Sequence, residues 1–117
     1  MKKTVTICGN EIPVDVNAAA FIYYKNQFLR DGFKDMMSLA KATEKKGVSI
    51  MDALTADGVD LMFIYQFLWV FAYSANKEGA PSLEEFIAGF DAAPLDFLTE
   101  AVPIVMDLLT ENAATTV

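Results

Sequence analysis

Residues 59–75, VDLMFIYQFLWVFAYSA, form an almost unbroken apolar and aromatic run in the middle of a 117-residue chain. Drawn as a helix, the run is apolar all the way round. Leu61, Tyr65, Leu68 and Ala72 lie along one face, and Phe63, Phe67, Val70 and Phe71 lie along others. Such a helix is either the centre of a fold or a membrane span. A span needs about 20 apolar residues, whereas this run is interrupted by Asp60 and Gln66 and ends in Ser74, Asn76 and Lys77. A buried central helix is therefore expected, with no membrane contact. The polar tips of Tyr65 and Trp69 should sit near the edge of the core, where they can find hydrogen-bond partners.

A single domain of this length buries roughly two thirds of the surface its unfolded chain exposes. With 54% hydrophobic and only 21% charged residues, the chain has more apolar surface than a minimal core requires. The surplus points to self-association or a partner, and a homo-oligomer is expected. Nine Lys and Arg against sixteen Asp and Glu give a net charge of −7. That balance repels phosphate backbones and anionic lipid, so nucleic acid is not an expected partner. Cys8 has no second cysteine to pair with, and Lys2 and Lys3 lead directly into a strand pattern instead of a signal segment. A reducing cytoplasm is the expected compartment.

The alternation of Val5, Ile7, Ile12 and Val14 predicts a small hairpin over residues 1–15, with Gly9-Asn10 as the tight turn. Two strands alone are marginal and must rest on helices. Residues 17–110 form the expected helical body. Asn17 is the candidate N-cap of a first helix over residues 18–30, ended by Asp31-Gly32. A second helix, over residues 33–45, carries Met36 and Met37 as adaptable core filler and stops at Lys46-Gly47. Residues 52–58 read as a connector or a short turn of helix, after which Asp57 or Asp60 favours the start of the central helix.

Ser82-Leu83-Glu84-Glu85 is a capping box for a short helix with Phe86, Ile87 and Phe90 inward, ended before Pro94. A last helix over residues 95–110 contains Pro103, which should kink or split it. Residues 111–117 are small and polar and read as a flexible tail. The expected fold is thus a mainly α, α+β single domain, a compact helical body with an N-terminal hairpin and an aromatic-rich central helix.

Candidate chemistry is thin. Asp57 with Asp60, and Glu84 with Glu85, are the local carboxylate pairs, and helix-start charge explains both. A calcium loop counted from Asp52 puts Leu54 and Ala56 where oxygen ligands are required. One thiol and no imidazole cannot build a structural zinc site or supply a histidine base. No catalytic, cofactor or metal residues are expected, and the chain reads as a non-enzyme. What remains is apolar surface at helical spacing on the last helix, where Phe97, Val105, Leu108 and Leu109 are the candidate protein-binding residues.

Four segments, TVTICGNEIPVDV (4–16), LMFIYQFLWVFAYSANKE (61–78), SLEEF (82–86) and PLDFLTEAVPIVMDLL (94–109), together resemble the tail assembly chaperones of long-tailed phages and prophages of Gram-positive bacteria. The resemblance spans nearly the whole chain as a pattern of segments. It implies a small α-rich protein that keeps the long tape measure protein soluble and recruits tail-tube subunits during tail morphogenesis. It implies action in the host cytoplasm and absence from the finished virion, often with a frameshift-extended second form. The competing class is a small acidic regulator or inhibitor that binds a single host protein.

Overall fold

The computed structural model describes residues 1–44, 47, 49–56 and 58–115, without the side chains at 43, 50, 51 and 111–115. Two strands, β1 (Lys2–Ile7) and β2 (Asn10–Asp15), precede the helices α1 (Ala19–Phe28), α2 (Gly32–Thr43) and α3 (Ile50–Ala56). The helices α4 (Met62–Ala75), α5 (Leu83–Ala88) and α6 (Pro94–Thr115) follow. The expected mainly helical α+β architecture is what the chain adopts. Among the described residues no helix is long and apolar enough to cross a membrane.

The hairpin pairs Val5 with Ile12 and Ile7 with Asn10, so its turn is Cys8-Gly9, one residue earlier than Gly9-Asn10. Both turn residues have positive φ, 51° and 79°, as a primed hairpin turn demands. Asn10 serves from the strand instead, its side-chain amide donating to the carbonyls of Ile7 and Cys8. A left-handed cysteine is costly, and here its backbone N–H donates to Glu100 Oε1 of α6 at 3.1 Å. That bond pins the turn to the last helix while Ile7, Ile12 and Val14 are buried beneath.

At the start of α1, Ala18 occupies the cap position and no side chain caps the helix. The Asn17 side-chain oxygen, which an N-cap would offer to a helix N–H, is buried without a hydrogen-bond partner, which corrects its assignment as N-cap. The helix ends short of Arg30 because Leu29 turns left-handed (φ 57°) and its N–H bonds to the Lys25 carbonyl. Asp31 then does more than interrupt: its carboxylate accepts from the N–H groups of Phe33 and Lys34 and so starts α2. Gly32 follows where a Cβ would come within 3.3 Å of the Phe21 ring and 3.4 Å of the Tyr24 ring. The bare backbone lets α2 begin directly against α1. Lys46, expected at the end of this helix, lies outside the described residues.

The central helix is as apolar in the fold as in the sequence: Phe63, Ile64, Phe67, Leu68, Trp69, Val70 and Phe71 are all buried. Tyr65 meets Phe97 of α6, with ring centroids 5.3 Å apart, and Phe67 stacks on Tyr24 of α1 at 4.5 Å. Residues two apart on a helix point about 200° from one another, so α4 separates α1 from the start of α6. Its own start is marked by Asp60, whose carboxylate accepts from the Met62 N–H at 3.0 Å. Asp57, the other candidate for that role, lies outside the described residues. Trp69 lies where its indole N–H reaches a partner, the Pro81 carbonyl, at 2.9 Å.

Ser82 caps α5 by accepting from the Glu85 N–H. The Glu85 carboxylate reaches back as expected but takes the Ser82 hydroxyl proton, at 2.9 Å. Pro94 opens α6 at the position where its missing N–H costs nothing. The helix is not split by Pro103, which is exposed, and it continues to Thr115 instead of stopping at Thr110. No glycine or proline follows Thr110, and Ala113 and Ala114 are strong helix formers. Residues 116 and 117 of the expected tail lie outside the described residues.

Candidate protein-docking surface

Phe97, Val105 and Leu108 are 2%, 0% and 1% exposed, and Leu109 is half-buried against the same core. With Ala101 they form the stripe of α6 that faces inward, recurring every three or four residues. Spacing alone does not say which side of a stripe is covered. In this fold the chain's own core covers it, and three of the four candidate residues have no surface to offer a partner.

Large exposed apolar residues lie elsewhere: Met62 on α4, Leu95 at the start of α6, and four on α1, just after it and on α2. Ile22 is 61% exposed, Leu29 80%, Phe33 59% and Met37 65%. Phe33 and Met37 are one turn apart on α2 and so share a face. Phe33 stands edge-on to Phe21 of α1, centroids 4.4 Å apart at 90°. Between the helices runs a groove of about 360 Å³ lined by Phe21, Ile22, Lys25 and Phe33. Lys25 and Asp31, one of each charge, are exposed along it. Of the two methionines expected as filler, Met36 packs on the core and Met37 projects into solvent.

A part-buried polar cluster lies at the base of this surface. The Tyr24 hydroxyl donates to Asp35 Oδ2 at 2.7 Å, and Arg30 grips the same carboxylate with Nε and Nη2 at 2.9 and 3.1 Å. Asp35 is only 5% exposed. Tyr24 also lies 3.0 Å from the side-chain amide of Gln66 on α4. One hydroxyl proton cannot serve two acceptors, so the Gln66 NH₂ is the group that faces the phenol oxygen. The arginine is closed in from its other side by the Phe63 ring, 4.5 Å from the guanidinium carbon. Burial, and then the hydrogen bond and charge of Asp35, push the Tyr24 hydroxyl well above its ordinary range. The Asp35 hydrogen bond likewise raises Arg30. Three helices are thereby tied at the base of the exposed face.

Elsewhere Glu100, Asp60 and Glu85 each hold a turn or a helix start. Glu100 hydrogen-bonds Cys8 and raises its thiol pKa, which holds the sulfur in its weakly nucleophilic protonated form. Asp60 and Glu85 are helix-start acceptors. Among the described residues no group of three His, Cys, Asp or Glu could hold a metal ion. The signal that could have revealed the exposed apolar face of α2 was present in residues 32–43. Met36, Leu39 and Ala42 already make one inward stripe, which leaves Phe33 and Met37 on a second.

Comparison with known protein families, with curated proteins and with solved structures found no match to this chain.

Proposed function

We propose that the chain is a non-enzymatic assembly chaperone of the phage-tail type. It binds and solubilises the tape measure protein and helps recruit tail-tube subunits, in the host cytoplasm, and leaves before the virion is complete. The observation that carries this reading is the exposed apolar pair Ile22 and Phe33 at the α1–α2 groove, with exposed Met37 one turn beyond Phe33. Surface apolar residues scattered singly are ordinary, but a groove with apolar side chains on both of its helices suits the stripe of an amphipathic client helix. A net charge of −7 keeps a complex with such a client in solution. The segment pattern of the sequence supports the same reading.

Co-expression with the tape measure protein encoded nearest the same gene provides the test. The client is expected in the soluble fraction with the native chain and in the insoluble fraction with Phe33→Asp/Met37→Asp. Both substituted residues are exposed, and circular dichroism checks that the double variant keeps its fold. A client equally soluble with the double variant would remove the α1–α2 face from the mechanism. A client that stays insoluble with the native chain would leave the regulator of a single host protein as the better reading.

A further inference from the structure

The hairpin has two outer edges, and its bonding pattern says which backbone groups each one presents. Met1 and Val16 exchange two hydrogen bonds, each of 2.9 Å. In an antiparallel ladder such pairs alternate with pairs whose backbone groups turn outward. Counted along the register, Lys3–Val14, Val5–Ile12 and Ile7–Asn10 are the bonded pairs. Lys2, Thr4 and Thr6 therefore point their backbone N–H and C=O groups away from β2, and Glu11, Pro13 and Asp15 point theirs away from β1.

The two edges differ. Pro13 stands in the middle of the outward row of β2 and has no N–H to donate, which blunts that edge. The outward row of β1 holds no proline, and among the described residues no hydrogen bond from beyond the hairpin reaches Lys2, Thr4 or Thr6. The bond from the Cys8 N–H to Glu100 closes the row at its turn end. Val5 is half-buried where its cross-strand neighbour Ile12 is 7% exposed, which marks β1 as the open side.

We propose that the β1 edge is a dimerisation site, occupied by β1 of a second copy running antiparallel across a two-fold axis at Thr4. Thr4 pairs with Thr4 of the second copy and Lys2 with Thr6 on either side, each pair exchanging two backbone bonds. The lysines choose this register. Parallel in-step pairing sets Lys2 beside Lys2, and an antiparallel slip that pairs Lys2 with Thr4 sets Lys3 against Lys3. Like charges directly opposite are destabilising. A slip the other way pairs Thr4 with Thr6 and leaves Lys2 beyond the edge. In the chosen register the exposed row across both hairpins reads Asp15, Lys2, Thr6, Glu11, so each Lys2 lies between acids of the two copies. The resulting four-stranded sheet ends at Pro13 on both sides, and growth stops at the dimer. None of these residues lines the α1–α2 groove, so the proposal stands apart from the chaperone reading.

Light scattering is expected to show the native chain passing from monomer to dimer, and no further, as concentration rises. Thr4→Pro removes an outward N–H without touching the hairpin's own bonds. It is expected to raise the dimer dissociation constant about thirtyfold, the worth of the two bonds at Thr4. Thr4→Lys and Thr4→Glu leave the backbone intact at an exposed position, and they serve should circular dichroism show the proline variant unfolded. Each sets like charges face to face on the axis and is expected to weaken its own dimer several-fold. Their equimolar mixture is expected to form a mixed dimer at least as tight as the native one, and tighter at about 0.05 M than at about 0.5 M salt.

A native chain that is monomeric up to about 1 mM would overturn the proposal. So would association that Thr4→Lys leaves unchanged, or a mixture that associates no better than either variant alone.

Discussion

The indole of Trp69 combines two interactions that mutation can separate. It is 6% exposed, stacked on Tyr73 and edge-on to Phe28, while its N–H donates to the Pro81 carbonyl at 2.9 Å. Trp69→Ala is expected to cost about 3–5 kcal/mol, the range for emptying a large aromatic site. Trp69→Phe keeps most of the packing and should cost nearer 1 kcal/mol, the worth of one hydrogen bond. Urea unfolding of both variants checks the partition, and equal losses would show that the hydrogen bond dominates.

Tyr24 gives a pH-dependent counterpart. Its folded-state proton is held above the ordinary value of 10.0, first by burial and then by Asp35. The stability that this proton contributes is complete below about pH 10 and is lost as pH rises past the unfolded value, by up to about 1.4 kcal/mol per unit. Tyr24→Phe should therefore be less stable than the native chain by about 1 kcal/mol at pH 8. That gap should close by about pH 11. Urea midpoints at the two pH values measure it, and a constant gap would mean that the phenol titrates normally.

At the scale of elements, Pro103 is the informative break of a local rule. It sits inside α6 without dividing it, on the exposed side, where its ring meets solvent and its missing N–H leaves the Thr99 carbonyl without the usual helical donor. Pro103→Ala is expected to raise stability by about 1–3 kcal/mol. A lowered melting temperature would show instead that the packing of Val102 and Val105 depends on the path the proline imposes.

The same scale shows what a sequence can disclose. The central helix, the Ser82 cap and the Asp60 helix start were legible because each depends on neighbours within a few residues. The hairpin turn came out one residue away, since strand alternation tolerates either loop and only the pairing of Ile7 with Asn10 decides between them. Asn17 was misread because residue type suggests a cap but not its place: the helix starts one residue later, from Ala18, and the Asn17 side-chain oxygen reaches none of its N–H groups. The exposed apolar residues of α1 and α2 were missed for a different reason: helical spacing identifies stripes but not which of them a distant element covers. Phe97, Val105 and Leu108 were covered, and Phe33 and Met37 were not.

At the scale of the whole molecule, α4 organises the rest. The hairpin's second strand, α1, α5 and α6 all pack directly on it, and one buried cluster runs from Ile7 to Leu108. A core shared in this way leaves no element with a hydrophobic surface of its own to fall back on. Amides in α1, α4 and the buried part of α6 are therefore expected to exchange with solvent through one global opening, at a common free energy. Native-state hydrogen exchange measures this, and a markedly lower value for α1 alone would show that α1 opens as a separate unit.

Synthesis from the N-terminus feels the same arrangement. The hairpin and α1 are made first, yet Val14, Tyr24 and the Tyr24–Gln66 contact wait for a helix that ends only at Ala75. The growing chain thus carries its β-strands and first aromatic side chains uncovered for more than half its length. Its exposure to misassociation is greatest before α4 emerges, and a single late segment converts it from a loose string of elements into a protein.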